Sequence, residues 1–156
     1  MSEIAFRRAT RADLQRIVEL LADDRLGATR ELAEDPVPRC YVTAFAALES
    51  DPNQQLIVCE QDGLVVGCLQ LSFIPGLSRR GAWRAQIESV RVASASRGAG
   101  LGERLMAFAI DAARTRGCSI VQLTTDKARP EARRFYERLG LAATHEGMKL
   151  SLRSPT

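Results

Sequence analysis

Two rhythms of apolar and polar residues divide the chain, one with period two and one with period near 3.6. Ile4-Ala5-Phe6-Arg7-Arg8-Ala9 predicts a short first strand. Thr10, with Asp13 three residues on, predicts a helix start capped by Thr10. Leu14, Ile17, Val18 and Leu21 follow at helical spacing, and Asp23-Asp24-Arg25-Leu26-Gly27 ends that helix. The stretch 28–39 holds two prolines and predicts a loop. A second helix is expected from Tyr41 to Leu48, before the turn Ser50-Asp51-Pro52-Asn53. Gln55 to Glu60 and Val65 to Phe73 predict two strands joined through Gln61-Asp62-Gly63, and Pro75-Gly76 breaks the second. Ser78-Arg79-Arg80-Gly81 is a polar loop, and Ala82 to Val92 predicts a long strand. After a glycine-rich stretch at Arg97 to Gly102, Leu101, Leu105, Phe108, Ala109 and Ala112 line one side of a helix. That helix ends at Arg116-Gly117, a basic last turn followed by glycine. Ser119 to Thr125 predicts a buried strand, and Pro130 opens a helix running to Leu139-Gly140. Leu141 to Leu152 closes the chain as a strand or hairpin, leaving Arg153 to Thr156 as a frayed tail.

The order β-α-α-β-β-β-α-β-α-β predicts an α/β (α+β) fold, a mixed sheet with helices on both faces. At 156 residues and 46% hydrophobic, the chain suits one domain over residues 1–152, with 153–156 as the tail. No apolar run approaches the roughly 20 residues needed to cross a bilayer. The start Met1-Ser2-Glu3-Ile4 has no signal-peptide pattern, so a soluble cytoplasmic protein without membrane contact is expected. Cys40, Cys59, Cys68 and Cys118 form no CxxC pair, and His145 is the only histidine; no metal site and no disulfide scaffold is expected. Cys59, Cys68 and Cys118 lie in apolar runs and read as small core residues. The net charge of +3 is mildly basic, and the arginines are interleaved with acids. That suits an anionic ligand and argues against a nucleic-acid partner.

The candidate chemistry begins at Val90-Arg91-Val92-Ala93-Ser94-Ala95-Ser96-Arg97-Gly98-Ala99-Gly100-Leu101-Gly102. A strand runs through a glycine-rich turn into a helix. Such a turn presents backbone N–H groups without side chains in the way, and the helix N-terminus adds partial positive charge. The arrangement suits a pyrophosphate. A dinucleotide fingerprint would need glycine at 103, where Glu103 stands, and a Walker A loop would need Gly-Lys-Ser/Thr, where Gly102-Glu103-Arg104 stands. The pattern that fits is Arg/Gln-x-x-Gly-x-Gly, read as Arg97-Gly98-Ala99-Gly100-Leu101-Gly102. It resembles the acetyl-CoA loop of the GNAT superfamily of N-acetyltransferases.

A second segment supports the resemblance. Ala132, Phe135, Tyr136, Glu137 and Gly140 match the GNAT pattern Ala-x-x-Phe-Tyr-Glu-x-x-Gly, one helix and one strand after the loop. The likeness runs from about Ile4 to Leu152. Arg129 stands where many members have a cofactor-contacting asparagine, and Leu141 replaces a final aromatic. The resemblance implies a mixed, mainly antiparallel twisted sheet. It implies that Val90, Arg91, Val92, Arg97, Gly98, Ala99, Gly100, Leu101, Gly102, Glu103, Arg129 and Tyr136 contact acetyl-CoA, the co-substrate. It implies Glu88 as the general base acting through water, and Tyr136 as the acid that protonates the leaving thiolate.

Glu88 has apolar neighbours in sequence, and partial desolvation would raise its pKa toward that of a better base. The alternative is a carboxylate held by Arg84 or Arg91. For Tyr136 the alternative is a half-buried ring packed beside Phe135. Asp23 and Asp24, with Trp83 and Glu88, are the candidate acceptor-binding residues. An acidic pair would attract a cationic amine, and a merely solvated helix end is the other reading. The implied partner is a small-molecule or peptide amine. Dimerisation is common in the family, although the sequence marks no homodimer interface. An acetyl-CoA sensor without turnover and a nucleic-acid-binding regulator are the rival readings.

Overall fold

Asp62 and Gly63 both have positive φ, 52° and 80°, the two-residue turn whose twist matches the strands it joins. Around that turn the computed structural model, which describes residues 2–153, builds a five-stranded sheet. The elements are β1 (Ile4–Arg8), α1 (Leu14–Ala22), α2 (Arg39–Ser50), β2 (Gln54–Gln61), β3 (Leu64–Ile74), the one-turn α3 (Ser78–Gly81), β4 (Arg84–Val92), α4 (Leu101–Thr115), β5 (Ile120–Gln122) and α5 (Pro130–Arg138). Short 3-10 turns stand at Arg11–Asp13, Gly27–Thr29 and Ser94–Ser96. The strands lie in chain order; the first three pairings are antiparallel and β4–β5 is parallel. The fold is therefore the expected mixed α/β sheet with helices. The chain divides into two compact units, residues 1–122 and 123–156.

In the first unit the pleat sends alternate residues to opposite faces. Val58 and Cys68 are cross-strand partners and cluster with Ile17 and Leu20 of α1. Leu14 and Val18 also meet Phe45 of α2, so α1 and α2 cover this face. The opposite face meets α4: Phe6 stacks on Phe108 at 5.4 Å, and Leu105 Cδ2 lies 3.7 Å from where a Cβ on Gly67 would stand. A side chain at Gly67 would also come within 3.0 Å of the Arg91 carbonyl, so glycine lets β3 and β4 approach here. Ile17, Val18, Leu20, Leu105 and Met106 are almost fully buried, and each contributes about 1.5–3 kcal/mol by leaving water.

The first helix starts as its sequence predicts, with the acid in the main role. The Asp13 carboxylate accepts the Thr10 N–H at 2.7 Å and is held by both Arg7 guanidinium nitrogens at 2.8 and 2.9 Å. Arg7 also donates to Glu60 at 2.7 Å, tying β1, α1 and β2 together. This guanidinium holds the Asp13 carboxyl down at about 2, below its ordinary 3.8.

Three expectations change. Ser78–Gly81 is a tight turn in which Arg79 and Arg80 take left-handed φ of 53° and 60°. The strand expected at Ser119 to Thr125 shortens to Ile120–Gln122, because only that stretch has a ladder partner in β4. Leu141 to Leu152 forms no strand: Met148, Leu150 and Leu152 alternate as a strand would, yet all three are exposed. Alternation supplies a strand face but not a ladder. Of the expected frayed tail, residues 154–156 lie outside the described residues. Cys59 and Cys68 are buried as expected, Cys118 is half-buried and Cys40 exposed. Among the described residues no helix is long and apolar enough to cross a membrane.

Candidate active site

β4 carries the site because its regularity fails in one place. Cys68 pairs with Arg91 and Gln70 with Glu88, so the single residue Leu69 faces the two residues Ser89 and Val90. This is a β-bulge, and Ser89 takes a left-handed φ of 55° within it. The bulge lies directly after Glu88. β5 pairs with β4 only at Arg84, Ala85 and Gln86. Beyond Gln86 the outer edge of β4 has no strand beside it among the described residues.

The peptide groups on that open edge can be assigned. Ala93 donates its N–H to Val66 in β3 at 2.8 Å. Backbone groups alternate sides along a strand, so the Val92 N–H and carbonyl face away from β3. Their carbonyls are taken by side chains of this chain: Val92 accepts from Arg97 Nε at 3.1 Å, and Val90 from Arg91 Nη1 at 2.9 Å. The N–H groups of that edge face away from β3 and are placed where a ligand's carbonyl could meet them.

Past Val92 the chain turns through Ser94–Ser96 into the glycine loop. Gly98 and Gly100 have φ of 84° and 73°, a region that only glycine enters without strain. A Cβ at either position would meet no heavy atom within 4 Å, so open space lies before the loop. Gly100 caps α4, whose 15 residues direct a full helix N-terminus at that space. Leu101 is buried and anchors the first turn, and Gly102 and Glu103 sit within it. An N-terminal acid is favoured by the dipole. An open cradle of N–H groups before a long helix fits a pyrophosphate, and a free β-edge fits an amide-bearing arm. Acetyl-CoA has both.

The other expected site residues are placed as follows. Glu88 is exposed, and among the described residues its side chain forms no hydrogen bond or ion pair. The expected desolvation is therefore corrected: alternation buries its neighbour Ile87 and turns Glu88 outward. Arg91 does not hold it either, since its guanidinium turns to Val90 and lies 3.9 Å from Asp24. Asp24 also accepts the Gly27 N–H. Asp23 accepts the Ser94 N–H at 2.9 Å, which holds its carboxyl below the ordinary range. Trp83 stands before β4, and its carbonyl accepts from Ser119 at 2.9 Å. Glu88 lies five residues further along β4, about 16 Å at strand rise. Asp24 lies beside Arg91 near the far end of β4 and Asp23 meets Ser94 just past it, so Trp83, at the start of the strand, stands apart from the other three of the four candidate acceptor residues.

In the second unit Arg129 caps α5 at its N-terminus, with Pro130 in the first turn. Tyr136 is half-buried on α5, and its ring meets Phe135 edge-on at 5.2 Å. The bulge at Ser89 and the Ser94 contact were not read from sequence. Serine at a left-handed position gives no signal there, whereas two acids at a helix C-terminus, against the dipole, are one.

Comparison with known proteins agrees with this geometry. The model of the acetyltransferase (GNAT) family matches residues 14–141. An aminoalkylphosphonate N-acetyltransferase of Salmonella typhimurium is 32% identical over 107 residues, 69% of each chain. A glucosamine 6-phosphate N-acetyltransferase of Trypanosoma brucei brucei is 37% identical over 98 residues, 62% of this chain and 64% of the relative. A crystal structure described as a transcriptional regulator from Bacillus halodurans C-125 superposes with a TM-score of 0.93 at 49% identity, covering 96% of this chain and 100% of that one. The bulged strand, the glycine loop and these relatives together make the chain an acetyltransferase of the GNAT family.

Proposed function

We propose that the protein moves an acetyl group from acetyl-CoA to a primary amine by direct attack within a ternary complex. The observation that carries this reading is the pairing of two features, the outer edge of β4 left without a strand beyond Gln86 and the glycine turn at Gly98 and Gly100 that opens the α4 N-terminus. Val90 to Val92 would hold the pantetheine arm, and Arg97 to Glu103 the pyrophosphate. Arg129 would supply a further phosphate contact in place of the usual asparagine. Bound acetyl-CoA supplies a thioester carbonyl, an acyl group ready for transfer.

The rest of the chemistry falls to this chain. An alkyl ammonium has a pKa near about 10.4, so a base must take its proton before the nitrogen can attack. Glu88, uncommitted and beside the bulge, takes that proton through water. An N–H at Val90 or Val92 stabilises the charge that develops on the carbonyl oxygen. As the C–N bond forms and the C–S bond breaks, Tyr136 gives its proton to the departing thiolate.

The acceptor is read as a small amine or a peptide amine. Both N-acetyltransferase relatives are named for amines that carry a phosphonate or phosphate. A panel of amines should therefore include an aminoalkylphosphonate and an amino-sugar phosphate. Thiol release that depends on an amine, matched by the mass of its acetylated product, is the expected result. The structure at 49% identity is described as a transcriptional regulator, which favours a second reading, a nucleic-acid-binding regulator. DNA binding that weakens steeply with salt, with no thiol release across the panel, would establish that reading instead.

A further inference from the structure

Asp23-Asp24 ends α1, where a negative charge opposes the helix dipole. Asp24 is repaid locally by the Gly27 N–H. The partner of Asp23 is instead 71 residues away: its Oδ2 accepts the Ser94 N–H at 2.9 Å. Arg97 completes the tie, donating from Nη2 to the Asp23 carbonyl at 2.9 Å and from Nε to the Val92 carbonyl at 3.1 Å. With Ala93 bound to Val66 at 2.8 Å, the chain between β4 and the first loop glycine is held at Ala93, Ser94 and Arg97.

We propose that Asp23 is a positioning residue that fixes the entrance to the acetyl-CoA loop from the end of α1, and that it does not contact the amine. This rests on reading Arg97 to Gly102 as the acetyl-CoA loop. Two considerations separate the role from a simple ion pair. The Asp23 and Arg97 side chains are 39% and 51% exposed and their charged atoms are 3.8 Å apart, so water screens the pair. The bond to the backbone N–H is short and charge-assisted, so it restrains the chain more than the pair does. Moreover, a carboxylate near a pyrophosphate site repels the ligand. Its benefit to binding is geometric, in the backbone freedom it removes before the ligand arrives.

The test measures CoA affinity by calorimetry and amine KM at saturating acetyl-CoA, on the full chain. Asp23→Ala frees about one residue of backbone at the loop entrance, and CoA affinity should fall about tenfold. Asp23→Asn keeps an oxygen acceptor for Ser94 and should stay within about threefold of wild type, since a neutral hydrogen bond is roughly half as strong as a charge-assisted one. Ser94→Pro removes the donor while leaving Asp23 in place. The Ala93 ψ of 138° and the helical first position of Ser94 both accept proline. It should lose CoA affinity too, by less than Asp23→Ala because the ring itself restrains φ, and the double variant should be no weaker than Asp23→Ala. Amine KM should not move in any of them. Unchanged CoA affinity in both Asp23→Ala and Ser94→Pro overturns the proposal, as does a rise in amine KM with CoA affinity intact. If the wild type itself fails to bind CoA, the acetyl-CoA reading falls and the proposal falls with it. If Asp23→Ala does not fold, Ser94→Pro and Asp23→Asn decide alone.

Discussion

Replacing Gly100 by alanine separates what the glycine loop costs the fold from what it gives the ligand. Gly100 sits at φ 73°, the left-handed cap of α4. An L-residue there costs about 1–2 kcal/mol. No heavy atom lies within 4 Å of the new methyl, so no clash is added. For a chain of this length that loss lowers Tm by roughly 2–4 °C per kcal/mol. Binding should suffer more. The methyl would occupy the space before the helix N-terminus and push a phosphate beyond hydrogen-bond range, about 3.2 Å. Losing two charge-assisted bonds at about 1.5–3 kcal/mol each weakens CoA binding more than 100-fold. Gly117→Ala is the matched control, since Gly117 has φ 80° and equally open surroundings at the far end of α4. Calorimetry with CoA and thermal melts of both variants give the comparison. Equal Tm losses with CoA affinity lost only in Gly100→Ala support the cradle. Equal affinities in the two variants would refute it.

Asp13→Asn should destabilise the fold by roughly 2 kcal/mol at neutral pH, the worth of a carboxyl held at about 2 instead of 3.8. Because the folded value is the lower one, the contribution is complete above 3.8 and disappears as pH falls toward 2; denaturant melts across that window should show the loss in wild type and not in Asp13→Asn. A thiol reagent at neutral pH should modify Cys40 first, since it is exposed, whereas burial pushes the Cys68 thiol up to about 12 and should protect it until the chain unfolds. Mass spectrometry of partially labelled protein reads the order. Tyr136→Phe should lower kcat at least tenfold while CoA affinity holds, and steady-state kinetics beside calorimetry measure both.

Much of this was legible in the chain because local chemistry set it. Asp62-Gly63 specifies a two-residue turn, which fixes the hairpin register. Thr10 and Asp13 mark the start of the first helix. Gly98 and Gly100 stand where the backbone must take positive φ. What stayed hidden depends on partners distant in sequence. The bulge at Ser89 arises from register between β3 and β4, and serine does not announce it. Glu88 was expected among apolar neighbours, but adjacent strand residues face opposite ways, so Ile87 takes the core and Glu88 the surface. Asp23 read as an acceptor contact or a solvated end because nothing near it in sequence reveals Ser94. Leu141 to Leu152 has the alternation of a strand without a ladder to join.

The most direct test of the central claim is acetyl-CoA-dependent thiol release by wild type and Glu88→Gln on the best amine of the panel. A general base is worth about 10²- to 10⁴-fold in rate. Glu88→Gln should therefore turn over at least 100-fold more slowly while binding CoA as wild type does. Wild-type rates in Glu88→Gln, or no release from wild type with any amine despite CoA binding, would contradict base-assisted acetyl transfer at the β4 bulge.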